Sequence, residues 1–593
     1  MLEVKERSAI EDKYKWDIDT IYSSKEDILR DKEKIDLLVN EIISLKGKIL
    51  DSGENLYKVL WLSDEAERIT GKILSFTFMK RDEDNSNSDN QNLASLGEKI
   101  NVDVDSKLSF IVPEILSQGD EKIYNLIGAY EKLSLYKRLL DELIRKKKIV
   151  LSESEEKILS ASQEVSLSFE NIYKMLSYVD LKYPKIKDSK GDEFELNDSN
   201  YSTFIRSDDR VLRENAFKGM LGTYEGFKST YGAILSSSIK KDVFYSKTRG
   251  FKSSLEASLF EDNIPVDVYK NVISTVSKGI PLLDEYIGIK KKELGLSEMH
   301  LYDLYAPTVK SSNTKVDFEK AKEMIKTSLN ILGNDYKSIL DEAFNNKWID
   351  VYYNKGKYTG AYSWGSYDTK PYILLNYKEK LDDVLTLAHE LGHSIHSYYS
   401  RKTQPYVYSS YTIFCAEVAS ITNECLMYLY LMETLKGEER RYVIDEFLES
   451  IRTTFFRQGM FAEFEMLSHG EADKDEALNG EELSKIWIDL YKKYYGNVCV
   501  IDKDISSEWA RIPHFFDSFY VYKYATGLSA GISMAKSILE NEENLNKYIE
   551  FLKSGGSDYS IELLKKAGVD FTTTKPLDDT LEMFKYLLDE YKK

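Results

Sequence analysis

Residues that interrupt helices are rare in this sequence. Only 9 prolines and 30 glycines occur among 593 residues. Proline breaks a helix because it lacks a backbone donor and clashes with the preceding turn, so its scarcity leaves room for many long helices. Hydrophobic residues make up 42% of the chain, which is enough for a sizeable core and excludes disorder over most of the length. The composition therefore predicts a mainly α-helical globular protein.

Positive charge is in deficit. The chain carries 81 lysines and arginines against 100 aspartates and glutamates, which gives a net charge of −19. Nucleic acid and anionic membrane surfaces repel such a protein, so neither is expected as a main partner.

A long apolar run is also missing. The most apolar stretch, 411–432, contains Glu417, Asn423 and Glu424 and predicts a buried helix rather than a membrane span.

Cysteine is sparse as well, with three residues in the chain. Cys415 and Cys425 lie on the predicted apolar helix, about 15 Å apart along its axis, which is too far for a disulfide. An odd and sparse set of cysteines indicates reduced thiols. The first residues are charged and show no apolar secretory segment, so we expect a cytoplasmic protein.

One break and one sheet interrupt the helical periodicity. Residues 183–200 contain Ser189-Lys190-Gly191-Asp192 between short alternating segments, which predicts a hairpin. We place a domain boundary there, with an N-terminal helical domain at 1–200 and a main domain at 201–593. Residues 348–377 alternate or run apolar around glycines and predict a small sheet.

Histidine is scarce, yet three of the 6 histidines lie together directly after the predicted sheet. His389 and His393 are four residues apart on a helical stretch, so their imidazoles project from one face about 5–6 Å apart. This spacing suits two nitrogen ligands of one Zn²⁺, and Glu390 beside them can reach a metal-bound water. A His-Glu-x-x-His match is expected by chance roughly 0.01 times or less in this composition. A zinc site is therefore favoured over a helix with surface histidines.

The third ligand is expected on the following helix. A metzincin needs glycine at 396 and histidine at 399, whereas this chain has His396 and Tyr399, so that class is excluded. Residues 414–426 are apolar apart from Glu417 and Glu424, which share one helical face. A carboxylate on so apolar a helix needs a compensating charge. We predict that Glu417 is the third ligand and that His396 and Glu424 orient the ligands, with a salt bridge from Glu424 to a lysine or arginine as the alternative.

Three protein ligands leave an open position for water, whose pKa the zinc lowers. Glu390 is the predicted general base, which takes the proton as water attacks a peptide carbonyl and passes it to the leaving amine. The oxyanion needs donors besides the metal. The candidates are His514, Tyr520 and Tyr524. The two tyrosines share a predicted helical face, and their spacing alone also fits a stripe of core tyrosines.

These residues resemble the oligoendopeptidase F branch of the thimet-type zinc oligopeptidases. The matching motifs are Gly360-Ala-Tyr-Ser-Trp-Gly-Ser-Tyr-Asp-Thr-Lys-Pro-Tyr-Ile-Leu-Leu-Asn-Tyr377, His389-Glu-Leu-Gly-His-Ser-Ile-His396, Ala416-Glu-Val-Ala-Ser420, and His514-Phe-Phe with Tyr520 and Tyr524. Residues 14–22 and 255–265 also look like that branch. The resemblance covers essentially the whole chain.

The resemblance implies a mainly α-helical protein in which two helical lobes flank a deep substrate channel, with a small β-sheet beside the zinc-binding helix. It implies one Zn²⁺ per chain, short peptides as substrates, and a metallopeptidase domain within 201–593. By the same likeness Glu417 is the third zinc ligand and the three donor candidates stabilise the transition state. Thimet-type relatives carry a further tyrosine where this chain has Gly527, so the division of labour among the tyrosines stays open. Tyr522 could substitute, though its spacing turns it off the face of the other two.

Peptide binding is predicted at the sheet. An extended peptide can add a strand to an exposed sheet edge, which holds any sequence by its backbone. We expect Gly360, Ala361, Tyr362 and Ser363 to form such an edge because they precede the zinc-binding helix. The alternative is an ordinary buried hairpin.

The sequence therefore predicts a monomeric, zinc-dependent endopeptidase that hydrolyses internal bonds of short oligopeptides. Two alternatives stay open: a zinc exopeptidase that acts on chain ends, and a non-catalytic peptide-binding protein with a structural metal. Glu390 speaks against the second alternative, because a structural metal site has no use for a general base.

Overall fold

Helices make up most of the structure, a computed structural model that describes residues 5–309 and 315–593. Side-chain caps start several of them: Ser24, Ser52 and Asn87 accept backbone N–H groups of the turn that follows. The helices of the first half are α1 (Lys25–Ser44), α2 (Gly53–Glu83), α3 (Ser88–Leu108), α4 (Ile111–Leu116), α5 (Asp120–Ala129), α6 (Lys137–Lys147), α7 (Glu153–Met175), α8 (Asp198–Ile205), α9 (Arg210–Glu225), α10 (Lys228–Thr248), α11 (Ser254–Glu261), α12 (Val266–Lys278) and α13 (Ile280–Glu293). Those of the second half are α14 (Phe318–Ser328), α15 (Gly333–Asn345), α16 (Leu381–Thr403), α17 (Ile413–Thr434), α18 (Gly437–Ile451), α19 (Gln458–Asp473), α20 (Gly480–Tyr495), α21 (Tyr522–Glu540), α22 (Glu542–Ser554), α23 (Ser560–Lys566) and α24 (Lys575–Tyr591). The mainly α-helical class is confirmed.

Two small sheets complete the described fold. Strands β1 (Lys185–Lys187) and β2 (Glu193–Glu195) pair antiparallel, which confirms the hairpin predicted within 183–200. The second sheet has the order β3-β5-β4 and consists of β3 (Ile349–Asp350), β4 (Tyr362–Trp364) and β5 (Tyr372–Leu374). Strand β3 runs parallel to β5, and β4 runs antiparallel to it. The sheet predicted in 348–377 is therefore present, with β4 at one edge.

The chain forms two compact units built from interleaved segments. The first unit consists of Met1–Lys148, Asn313–Tyr430 and Met534–Gly568, and the second of Ile149–Ser312, Leu431–Ser533 and Val569–Lys593. The division of the sequence at residue 200 stays a prediction. The candidate zinc ligands and the β3-β5-β4 sheet belong to the first unit, and residues 514–524 belong to the second.

The sheet of the first unit is supported by the N-terminal helices. Tyr372 and Leu374 of β5 are buried in one hydrophobic cluster with Trp16, Ile73 and Phe76. Burial of each large apolar side chain contributes roughly 1.5–3 kcal/mol, which fixes the sheet on α2. On the same sheet, α16 packs against β4 and β5. The zinc-motif helix therefore lies beside the small sheet, as predicted.

Helix α17 contains most of the apolar stretch 411–432. Its residues Val418, Ala419 and Met427 are buried, as predicted for the stretch 411–432. Among the described residues we find no helix whose length and hydropathy would let it cross a bilayer. All three cysteines are buried, and none of them is in a disulfide.

Candidate metal centre and active site

Helix α16 brings the two predicted histidine ligands together. The imidazole rings of His389 and His393 lie 4.7 Å apart between centroids and nearly perpendicular to each other. Their Nε2 atoms are 3.1 Å apart. One helical turn separates the two residues, so both rings project from the same face.

Glu417 of α17 completes a cluster of three possible ligands. Its Oε2 atom lies 3.6 Å from Nε2 of His389 and 3.9 Å from Nε2 of His393. Ser420 donates a hydrogen bond to the same oxygen at 3.2 Å, which orients the carboxylate. One ligand atom from each of the three side chains lies within 4.8 Å of the others. The ligand side chains are 20% to 35% exposed, so solvent reaches the cluster.

Gly392 allows α17 to approach α16 closely. A Cβ atom at this position would lie 2.5 Å from Ser420 Cα and 2.7 Å from the Ala419 carbonyl oxygen. Only glycine fits here, because packed interiors leave no room for a contact that short. Since Glu417 lies one turn before Ser420, the distance between Glu417 and the two imidazoles depends on this close approach.

Asn423 joins the same two helices through its amide group. Its Nδ2 donates to the Ala388 carbonyl oxygen at 3.1 Å, and its Oδ1 accepts a hydrogen bond from the Tyr336 hydroxyl at 2.8 Å. Asn423 is fully buried. Because both ends of the amide are satisfied, the pair of bonds fixes the register between the helices.

The donor atoms fit a zinc ion. Nδ1 of His389 lies 2.8 Å from Oε1 of Glu424, so this nitrogen keeps its proton and Nε2 is the atom that would coordinate a metal in place of a proton. The His393 ring hydrogen-bonds to the backbone of Ala416. Two imidazole lone pairs and one carboxylate are the ligand set of a catalytic zinc site with an open position. Glu424 has the contact that its predicted orienting role requires.

Glu390 is a buried carboxyl beside the candidate ligands. Burial raises its pKa to about 7; Glu417 and Glu424 add to the rise, against lowering by His389 and the Ser363 backbone. The side chain is 7% exposed, and its Oε2 has no hydrogen-bond partner among the described residues. A carboxyl whose pKa lies near 7 can accept and return a proton at neutral pH.

The electrostatics of the cluster favour a cation. Burial lowers the pKa of His389, but the hydrogen bond that its Nδ1 donates to Glu424 and the charges of Glu424, Glu390 and Glu417 outweigh it and raise that pKa to about 9. The pKa of His393 falls to about 3 because of burial and the neighbouring His389. Three carboxyl groups around two imidazoles therefore create a site that attracts positive charge.

His396 lies against an aromatic ring. Its imidazole stacks on Tyr411 with 3.7 Å between centroids and an interplanar angle of 5°. Burial lowers its pKa to about 3, so the ring is neutral. Tyr411, which sequence reasoning missed, exchanges a hydrogen bond with Ser397 at 2.7 Å. The orienting role of His396 stays a prediction. His396 would exert it through the packing of its ring against Tyr411.

The predicted substrate-binding segment is partly a strand. Tyr362 and Ser363 belong to β4, whereas Gly360 and Ala361 precede it outside the strand. The Gly360 carbonyl accepts a hydrogen bond from Asn376 at 2.8 Å, which takes it out of the strand ladder. Ser363 contacts the zinc-motif helix twice, through its backbone to Glu390 and through its Oγ to the Ser394 hydroxyl at 2.7 Å. The β4 side chains are partly exposed at the sheet edge.

The three predicted donors cluster in the second unit. Nε2 of His514 lies 3.1 Å from the Tyr524 hydroxyl. The Tyr520 ring is 5.4 Å from the Tyr524 ring and 6.2 Å from the His514 ring. Burial lowers the pKa of His514 below its usual value, which keeps the imidazole neutral. The structure thus brings these three side chains together.

One detail of the donor prediction is wrong. Tyr520 does not share a helical face with Tyr524, because α21 begins at Tyr522 and Tyr520 precedes it. Backbone dihedral φ at Phe519 is 61°, in the left-handed region, and this interrupts the helical periodicity. Tyr522 is fully buried against Tyr269, whereas Tyr520 and Tyr524 are partly exposed, so Tyr522 cannot take the place of either.

Two family models match the chain. Peptidase family M3 matches residues 203–583, and Oligopeptidase F matches residues 114–183. Oligopeptidase PepF of Bacillus subtilis (strain 168) is 42% identical over 587 residues, which cover 99% of this chain and 88% of that protein.

Solved structures resemble the whole chain as well. The crystal structure of a candidate peptidase from Chlamydophila abortus matches with a TM-score of 0.93 and 33% identity, over 99% of each chain. The crystal structure of oligoendopeptidase-F from Enterococcus faecium matches with a TM-score of 0.74 and 32% identity, over 96% of this chain and 98% of that one.

Proposed function

The chain belongs to peptidase family M3, and from this premise we propose that His389, His393 and Glu417 hold a zinc ion beside Glu390, the general base. The protein is a metalloendopeptidase of the oligopeptidase type. One observation carries the residue assignment: two Nε2 atoms and one carboxylate oxygen converge next to a buried carboxyl group with an unused oxygen.

A zinc ion at this position supplies a Lewis acid that lowers the pKa of water and polarises a carbonyl group. Glu390 takes a proton from the attacking water and returns it to the leaving amine nitrogen. Burial raises the pKa of Glu390, which makes it a better proton acceptor than an exposed carboxylate. Glu424 keeps the His389 proton on Nδ1 and leaves Nε2 ready to coordinate.

The oxyanion of the tetrahedral intermediate needs hydrogen-bond donors. We assign this role to His514, Tyr520 and Tyr524. Their mutual contacts and partial exposure support the assignment, and so does the motif resemblance. The Tyr524 hydroxyl already lies within hydrogen-bond distance of His514, so the two donors hold each other in place.

The substrates are short peptides, and we propose that β4 binds them by its edge. Tyr362 and Ser363 stand at a partly exposed sheet edge, and Ser363 contacts the proposed base. Addition of an extended peptide to such an edge would align a backbone with Glu390. A monomeric state and a cytoplasmic location stay predictions.

Cleavage of a peptide blocked at both termini tests this function. An endopeptidase cuts such a peptide, whereas an aminopeptidase or carboxypeptidase leaves it intact. We expect internal cleavage that a chelator abolishes and added Zn²⁺ restores. Cleavage of unblocked peptides only would contradict the endopeptidase assignment, and full activity after complete removal of metal would contradict the metal centre.

A further inference from the structure

Residues 514–520, which we call the donor segment, carry two of the proposed transition-state donors, His514 and Tyr520. The backbone in this segment is strained at Phe519, where φ is 61°. A bulky residue rarely adopts the left-handed region, because its Cβ approaches the backbone carbonyl. Such a conformation persists only where surrounding groups hold it. The donor segment therefore needs an anchor.

Glu465 of α19 supplies one. Its Oε1 accepts a hydrogen bond from the Phe519 backbone N–H at 2.7 Å. The Glu465 side chain is 1% exposed, and its Oε2 has no hydrogen-bond partner among the described residues. A carboxyl buried with half of its acceptor capacity unused is costly for stability. The contact with the strained residue gives a reason for the presence of a carboxyl at this position.

Neighbouring side chains hold the same segment. The Ser518 hydroxyl donates to Oδ2 of Asp242 at 2.6 Å, and Nε2 of His469 lies 3.3 Å from that oxygen. The His469 ring packs on the Phe519 ring with 4.4 Å between centroids. Two consecutive residues of the donor segment are thus tied to α10 and α19, directly before Tyr520.

We propose that Glu465 is a positioning residue for the peptidase reaction. Its carboxyl oxygen accepts the Phe519 N–H and so holds the backbone of Phe519 in the left-handed conformation. That conformation reverses the chain direction, so that Tyr520 faces His514 and Tyr524. Because its side chain is 1% exposed, Glu465 acts through the donors and not on the substrate. The proposal rests on the proposed roles of His514 and Tyr520.

Two variants separate this role from a general effect on folding. Glu465→Met removes the acceptor at similar volume, and Glu465→Gln keeps an acceptor oxygen. We expect Glu465→Met to lower kcat by about 10–100-fold, with KM for a peptide changed less than about 3-fold and zinc content unchanged. Glu465→Gln should keep kcat within about 3-fold of the wild-type value, because the amide oxygen can still accept the Phe519 N–H. Glu463→Met is the matched control, because that α19 carboxylate binds Lys493 and Tyr494 instead, and its kcat should not change.

Hydrogen exchange reports on the anchor without reference to activity. We expect exchange of the Phe519 amide to be at least about 10-fold faster in Glu465→Met than in wild type, and to stay slow in Glu465→Gln. Wild-type protection of this amide in Glu465→Met would overturn the proposal. If Glu465→Met does not fold, Glu465→Leu takes its place in each of these measurements, with the same expected changes, because leucine also lacks an acceptor.

A double-mutant cycle tests whether Glu465 works through the donors. In a Tyr520→Phe background, Glu465→Met should cost less than about 3-fold in kcat, because the group that it positions no longer donates. Full multiplication of the two losses would overturn the positioning role. If Tyr520→Phe and His514→Ala each leave kcat unchanged, the donor assignment fails. If they lower kcat while Glu465→Met does not, the positioning proposal alone fails.

Discussion

Replacement of Gly392 by alanine tests how closely α16 and α17 must pack at the metal centre. The new Cβ would lie 2.5 Å from Ser420 Cα and 2.7 Å from the Ala419 carbonyl oxygen. These distances are about 1 Å shorter than an ordinary contact between heavy atoms. Both neighbours are backbone atoms that cannot rotate away, so α17 must shift by about 1 Å. Overpacking of this kind costs about 1–3 kcal/mol, and the shift carries Glu417 away from the two imidazoles.

Thermal unfolding of the metal-free protein and competition titration with a zinc chelator measure the two effects. We expect Gly392→Ala to lose about 1–3 kcal/mol of unfolding free energy and to bind zinc about 10–100-fold more weakly. Gly288→Ala in α13 is the control, because a Cβ atom at residue 288 would have no neighbouring atom within 4 Å outside its own helix turn. The control should keep wild-type zinc affinity and gain up to about 1 kcal/mol. Wild-type stability and zinc affinity in Gly392→Ala would refute the packing argument.

Two further predictions concern carboxyl groups of the first unit. Asp350 pairs with Lys357 and Arg7 at 2.6 Å each, so Asp350→Asn should lower the free energy of unfolding in denaturant by about 3–5 kcal/mol. Burial raises the pKa of Asp350, but the two cations outweigh it and hold that pKa below its usual value. This stabilisation is therefore present above about pH 4 and lost as the pH falls further. The free energy of unfolding should fall more steeply with decreasing pH in wild type than in Asp350→Asn, and an equal pH dependence in both would contradict the prediction. Glu424→Gln removes the charge that faces His389 Nδ1 and should weaken zinc binding about 10-fold or more. Competition titration with a zinc chelator measures this effect, and unchanged affinity would exclude an orienting role for Glu424.

Features with local causes could be predicted from the sequence. His389 and His393 need only helical spacing to share a face, and Glu417 stands out because its helix is otherwise apolar. The small sheet follows from alternating residues around glycines. Its edge strand begins at Tyr362 rather than at Gly360, because Asn376 takes the Gly360 carbonyl, a contact that alternation does not reveal.

Features that depend on distant residues could not be predicted. The helical spacing of Tyr520 and Tyr524 assumes an unbroken helix, whereas the backbone turns at Phe519. The group that accepts the Phe519 N–H, Glu465, lies 54 residues earlier in the chain. Likewise, the need for glycine at 392 arises only when α17 packs on α16. The interleaved segments of the two units have the same origin, since contacts between distant residues define them.

The turnover of Glu390→Gln, measured on protein whose zinc content is determined in the same sample, tests the central claim most directly. Glutamine keeps the size of the side chain and cannot accept the proton, and the three proposed ligands are untouched. We expect zinc to bind as in wild type while kcat for a peptide blocked at both ends falls by about 10²–10⁴-fold. Zinc-loaded Glu390→Gln that cleaves this peptide within about 10-fold of the wild-type rate would contradict the proposed mechanism.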